Sequence, residues 1–124
     1  MRAIYEKMLK ESSENWFIYE DEWNLYWDYN SKMIDAFFHE DKGFVFINNL
    51  YENPHIVFAF TNKNYRKQGV MKKLMSDVFK KYKNKTLTLS SLDETTDIIW
   101  KKIGFTCVEH RASNNDTSEY EKKL

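Results

Sequence analysis

The chain has 124 residues, 19 Lys/Arg against 19 Asp/Glu for a formal net charge of zero, and one cysteine. That length allows one domain able to bury about two-thirds of its unfolded surface. A single cysteine excludes an intrachain disulfide framework and fits a reducing, cytoplasmic setting. No run of about 18 apolar residues occurs and the N-terminus lacks a signal-peptide pattern, so neither a spanning helix nor export is expected. The three histidines and Cys107 are scattered without ligand spacing, so no metal is expected.

The zero net charge hides a division. Residues 1–55 hold five Lys/Arg and eleven Asp/Glu, a net of −6, whereas residues 56–124 hold fourteen and eight, a net of +6. A basic half suits a polyanionic cofactor and an acidic half a cationic acceptor. Each of these charges taken singly is also what an ordinary solvated surface carries.

In chain order, Ala3, Ile4, Met8 and Leu9 predict an amphipathic helix over residues 2–11. Residues 14–29 are dense in aromatics, and 16–19 have strand composition with poor alternation. Such a cluster can stack nucleic-acid bases, but Glu20, Asp21, Glu22 and Asp28 flank it, and phosphate contacts dominate nucleic-acid affinity. A core or the wall of an acceptor pocket fits better. Residues 33–39, the turn Asp41-Lys42-Gly43 and residues 44–47 read as a hairpin. The strand expected at 56–61 extends it into an antiparallel meander, with Pro54, the only proline, just outside.

Residues 62–68 are polar and turn-forming, which predicts a loop. From Gly69 onward Val70, Met71, Leu74, Met75, Val78, Phe79 and Tyr82 fall on one helical face, with Lys72, Lys73, Asp77, Lys80 and Lys81 on the other. A strand, a basic loop holding Arg66, Lys67 and Gly69, and then a helix start form a recipe for binding an anion. The free N–H groups of the first turn point outward and the dipole favours negative charge there. A solvated strand–loop–helix with no ligand has the same composition. Residues 86–90 read as a further strand and 93–102 as a helix that Gly104 ends in a left-handed cap. Cys107 follows on a strand, as a small apolar filler. Residues 112–118 form a polar surface loop.

YRKQGVMKKLM and, about thirty residues on, DETTDIIWKKIGF resemble the two signature segments of the GNAT superfamily of acyl-CoA-dependent N-acetyltransferases. The first matches the family's R-x-x-G-x-[G/A] pyrophosphate loop at Arg66 and Gly69, with Met71 at the small position. The second is similar to N-x-x-A-x-x-F-Y-x-K-x-G-F. Asp93, Thr96, Ile99 and Trp100 replace Asn, Ala, Phe and Tyr, while Lys102, Gly104 and Phe105 match. The closing SEYEKKL looks like the last strand of such domains. The resemblance implies one α+β domain over residues 1–124, its motifs in 54–124, with a mixed, mostly antiparallel sheet flanked by helices on both faces. Compared with the family, the N-terminal part is short for its usual first strand and two helices. The strands at 56–61 and 86–90 should be parallel neighbours that splay apart.

The resemblance further implies acetyl-CoA as acyl donor. Its pyrophosphate would lie over the amides of Gln68, Gly69 and Met71, with Arg66, Lys67 and Val70 around it. Phe60 and Thr61 would offer backbone groups to the pantetheine, and Asp93, Thr96 and Trp100 would line its other side. Direct attack of a free amine on the thioester needs a proton acceptor and a donor. His55, His39, Asp35 and Glu109 are candidate bases, His55 foremost. Trp100 replaces the family's acidic Tyr, which leaves Tyr120, Ser90 or water as donor. The acceptor is expected to be a basic small-molecule or peptide amine, drawn by Glu20, Asp21, Glu22, Asp35, Glu40 and Asp41. Nucleic-acid and membrane partners are not expected, and homodimerisation is open. The alternative is a non-catalytic GNAT-like interaction or regulatory module.

Overall fold

The structure, a computed structural model, describes residues 2–12, 21, 24, 34–50 and 52–124. The strand expected at 16–19 lies outside the described residues, as do Glu20 and Glu22. The elements are α1 (Arg2–Ser12), β1 (Ile34–His39), β2 (Gly43–Asn48), β3 (His55–Thr61), a 3₁₀ turn (Lys63–Tyr65), α2 (Val70–Lys81), β4 (Thr86–Ser91), α3 (Glu94–Ile103), β5 (Thr106–Glu109) and β6 (Ser118–Lys123). The six strands form one sheet in the order β1-β2-β3-β4-β6-β5. All neighbours are antiparallel except β3 and β4. The expected α+β architecture with helices on both faces is therefore present.

Strand β2, second in the sheet, is buried on both faces, and its alternation serves two cores. Phe44 and Phe46 point to α1, where they meet Tyr5, Met8, Leu9, Phe58 and Phe60. The Phe44 and Phe58 rings stack at 5.3 Å with their planes 3° apart, an offset-pair distance worth about 0.5–1.5 kcal/mol beyond burial. Val45 and Ile47 point to the other face, under Val70, Leu74, Met75 and Val78 of α2. Those four helix positions recur at the spacing that builds one apolar stripe.

Strand β3 changes faces part-way. Phe46 pairs with Phe58 but Ile47 pairs with Ile56, so Val57 is an extra residue, a β-bulge. Strict alternation would put Ile56, Phe58 and Phe60 on one face. With the bulge, Ile56 enters the α2 core while Phe58 and Phe60 enter the α1 core. At Gly43 an added Cβ would sit 2.6 Å from the Phe60 carbonyl oxygen and 3.1 Å from Val70 Cγ1. Close approach of β3 and α2, rather than the turn alone, thus requires that glycine.

Helix α3 has both its predicted ends. Asp93 accepts from the Thr96 amide at 2.8 Å and the Thr96 hydroxyl at 2.6 Å. Gly104, at φ 111°, closes the C-terminus, with the Phe105 amide reaching back to the Trp100 carbonyl at 3.0 Å.

Candidate active site

The loop between β3 and α2 is held open by its own polar residues. Asn62, buried, donates its amide to the Lys42 carbonyl at 2.7 Å and its side chain to the Asp41 carbonyl at 3.2 Å. It also accepts from the Asn64 amide at 3.2 Å, an Asx turn. Arg66 Nε reaches the Thr61 carbonyl at 3.3 Å, and Gln68 Nε2 the Asn64 carbonyl at 3.4 Å. Lys67 and Gly69 both lie in the left-handed region, at φ 64° and 78°. Nothing lies within 4 Å of a Cβ built on Gly69, so backbone sign rather than room selects glycine there. Gly69 caps α2 with no side chain. The amides of Val70, Met71 and Lys72, which follow it, have no intrahelical acceptor. This is a backbone anion cradle of the kind that turns and helix starts supply.

The cradle opens into a cleft of about 1360 Å³ between α2 and α3, floored by Ala59, Phe60 and Thr61. Of the expected cofactor residues, Phe60, Thr61, Arg66, Lys67, Gly69, Val70, Met71, Thr96 and Trp100 line it together. The Trp100 ring forms part of the α3 wall and packs edge-on against Phe105 at 5.4 Å. Gln68 is exposed and its side chain turns back to Asn64. Asp93 departs from expectation. Its carboxylate, held below the usual carboxylate range by the Thr96 hydrogen bonds, caps α3 and borders a separate hollow beside His110 and Arg111.

The cleft exists because the sheet parts beneath it. Strands β3 and β4 pair only at His55–Thr88 and Ile56–Leu89, although β3 runs to Thr61 and β4 to Ser91. Beyond Ile56 the edge of β3 that faces β4 is left without a strand partner among the described residues.

His55 stands at the last pairs before the parting. Leu87 and Leu89 point into the α2 core, so Thr88 and Ser90 face the other side of the sheet. His55 meets Thr88 there, with Nδ1 2.7 Å from Oγ1. Burial lowers the His55 pKa, against the pull of the Glu119 charge. Ser90 donates to Glu119 at 2.7 Å, as does Thr117 at 2.8 Å. His55, Ser90 and Glu119 thus share the face opposite the cradle.

Tyr120 is not brought to the cleft. It is 1% exposed, on the α2 side of the sheet, and its hydroxyl has no hydrogen-bond partner among the described residues. Burial first, then the Asp97 charge, pushes its pKa up to about 12. The expected acidic acceptor wall is likewise reduced. Asp35 is taken by the Tyr82 hydroxyl and by Lys81 at 3.1 Å, and Glu40 by Lys42 at 3.3 Å.

Two features were not read from the sequence. Lys72, Lys80, Lys83 and Lys102 line the cleft, a placement foreshadowed by the polar stripe of α2. Arg111 holds Asp97 with two parallel bonds of 2.8 and 2.9 Å and reaches the Ser91 carbonyl at 3.2 Å. Both partners' side chains are 7% exposed. Asp97 lies on the buried side of α3, a position where periodicity alone predicts an apolar residue.

A parallel strand pair that parts beside a helix start with free amides defines an α+β fold with a cleft open to an extended anionic ligand. The chain belongs to the acetyltransferase (GNAT) domain family, whose profile matches residues 3–119. It is similar in fold to an acetyltransferase from Thermus thermophilus, at 13% identity and a TM-score of 0.74, covering 99% of this chain and 90% of that one. It also resembles the PaiA N-acetyltransferase of Thermoplasma acidophilum in complex with coenzyme A, at 15% identity and TM-score 0.68, over 99% and 90%. An aminoglycoside 6′-N-acetyltransferase complexed with coenzyme A gives 11% and 0.68, over 98% and 89%. At such identities the likeness is one of fold. No curated protein sequence matches the chain.

Proposed function

We propose that the chain transfers an acetyl group from acetyl-CoA to a basic amine by direct attack. The observation that carries this reading is the two-pair β3–β4 seam, which parts beside the amide cradle of Val70, Met71 and Lys72. The cradle, with Arg66 and Lys67, would hold the diphosphate. The free edge of β3 at residues 57–61 would take the pantetheine arm as an added strand. Two of the structures of like fold hold coenzyme A. Acetyl-CoA when bound supplies a thioester carbonyl and a thiolate leaving group. A backbone N–H near Phe60 or Thr61 would stabilise the developing charge on the carbonyl oxygen. The amine arrives from the opposite face of the sheet, where neutral His55 accepts its proton directly or through one water. Trp100 offers an indole N–H, which donates a hydrogen bond but yields no proton at neutral pH. With Tyr120 sealed off, water would supply the proton that the leaving group needs.

Trp100 also favours a second reading, a GNAT-domain module that binds the cofactor without turnover. One experiment separates the two: calorimetry with acetyl-CoA, followed by free-thiol release with a panel of polyamines, aminoglycosides and lysine peptides. Binding with amine-dependent thiol release is expected. Binding without release by any amine supports the module, and no binding at millimolar protein rejects both.

A further inference from the structure

We infer that the lysines bordering the cleft beyond the loop read the 3′-phosphate of coenzyme A, so that this chain discriminates against the dephospho form. The inference rests on the coenzyme A reading above. Helix α2 carries four lysines, which the structure sorts into two kinds. Lys73 pairs with Asp77 at 3.1 Å, and Lys81 pairs with Asp35 at 3.1 Å and lies over the Phe37 ring. Lys72 and Lys80 line the cleft instead, with Lys83 just past the helix end and Lys102 on α3. Among the described residues, none of these four forms an ion pair and no carboxylate lines the cleft.

Arg66, Lys67 and the amide cradle already match the charge of a diphosphate. Four further exposed cations border the same groove, and their summed field favours a second anionic centre there. Positions 72, 76 and 80 follow one stripe of α2 with Lys83 just beyond its end, so the lysines lead away from the loop at about 1.5 Å per helical residue. A nucleotide end of coenzyme A that runs from the loop along this groove would meet them. Its 3′-phosphate is a monoester, with roughly −1.5 to −2 charges near neutrality. Dephospho-coenzyme A is identical except for that group.

The test is calorimetry on the full chain with coenzyme A and with dephospho-coenzyme A, at low and high salt. It is run on the wild type and on a variant combining Lys72→Gln, Lys80→Gln, Lys83→Gln and Lys102→Gln. Glutamine keeps helix propensity, and circular dichroism checks that the variant is folded. The wild type is expected to bind coenzyme A at least about tenfold more tightly, a gap that narrows as salt screens it. The variant should bind both ligands with the wild type's dephospho-coenzyme A affinity. Equal affinities in the wild type, or a gap that survives in the variant, overturn this inference alone. Failure of the wild type to bind either ligand overturns the coenzyme A reading and this inference with it.

Discussion

The imidazole of His55 is fixed by Thr88 at the edge of the parting, on the face opposite the cradle, and burial lowers its pKa. A neutral imidazole accepts a proton, and a protonated one cannot. Its pKa is lowered below the ordinary value of about 6.5, so kcat/KM should hold through neutrality and fall only below that pH. His55→Gln is expected to lower kcat/KM about 10²-fold and to remove the acid limb, with acetyl-CoA affinity nearly unchanged. A pH–rate profile of the variant that keeps the acid limb excludes His55 as the base.

Asp97 is the residue whose titration bears on stability. The bidentate Arg111 holds its carboxyl well below the usual range, more than burial raises it. A carboxylate with a depressed folded pKa stabilises the fold above its unfolded pKa of about 3.9, and that stability is lost as pH falls toward the folded value. Asp97→Asn leaves a buried guanidinium without its counter-ion. It is expected to lower Tm at pH 7 by about 5–10 °C and to flatten the loss of stability below about pH 4. Thermal melts across that range check both.

At the scale of elements, the segment from β3 to α2 was legible because its determinants are local. They are an apolar run, a polar loop, a positive-φ glycine and a 3.6-residue stripe, all within residues 54–82. The same holds for α3, whose start at residue 93 and Gly104 stop are contiguous with it, although Asp93 caps the helix where a cofactor contact was expected. What stayed hidden depends on pairing at a distance. The Val57 bulge exists only relative to β2, and alternation alone would put Ile56, Phe58 and Phe60 on one face when they serve two. Tyr120 looked available because nothing near it in the chain announces that α3 covers it. Asp97 and Arg111 are 14 positions apart with a helix end and a strand between them. Gly43 belongs to the same class: its neighbour Phe60 is a strand away. Gly43→Ala, which a turn would tolerate, is therefore expected to cost about 1–3 kcal/mol in a chemical-denaturation curve. A loss within about 0.5 kcal/mol would mean that β3 can retreat without cost.

At the scale of the whole molecule, the charge division and the cleft agree in sense, since the basic half of the chain supplies every cation in the groove. The two-pair seam between β3 and β4 has a further consequence, a mechanical one. The sheet consists of two well-paired wings, β1-β2-β3 and β4-β6-β5, joined by His55–Thr88, Ile56–Leu89 and the bond from the Thr88 amide to the Pro54 carbonyl at 3.0 Å. Few hydrogen bonds cross such a seam, so opening there is resisted mainly by the α2 core that both wings share. A ligand lying along the free edge of β3 and against α3 would act as a staple between them. Saturation at about a hundred times Kd adds about 2.7 kcal/mol to whatever opening it suppresses. In hydrogen exchange the amides of residues 55–61 and 86–91 should therefore slow far more on addition of acetyl-CoA than those of the β1–β2 hairpin. Uniform slowing across the sheet would mean that the wings open only when the whole chain does.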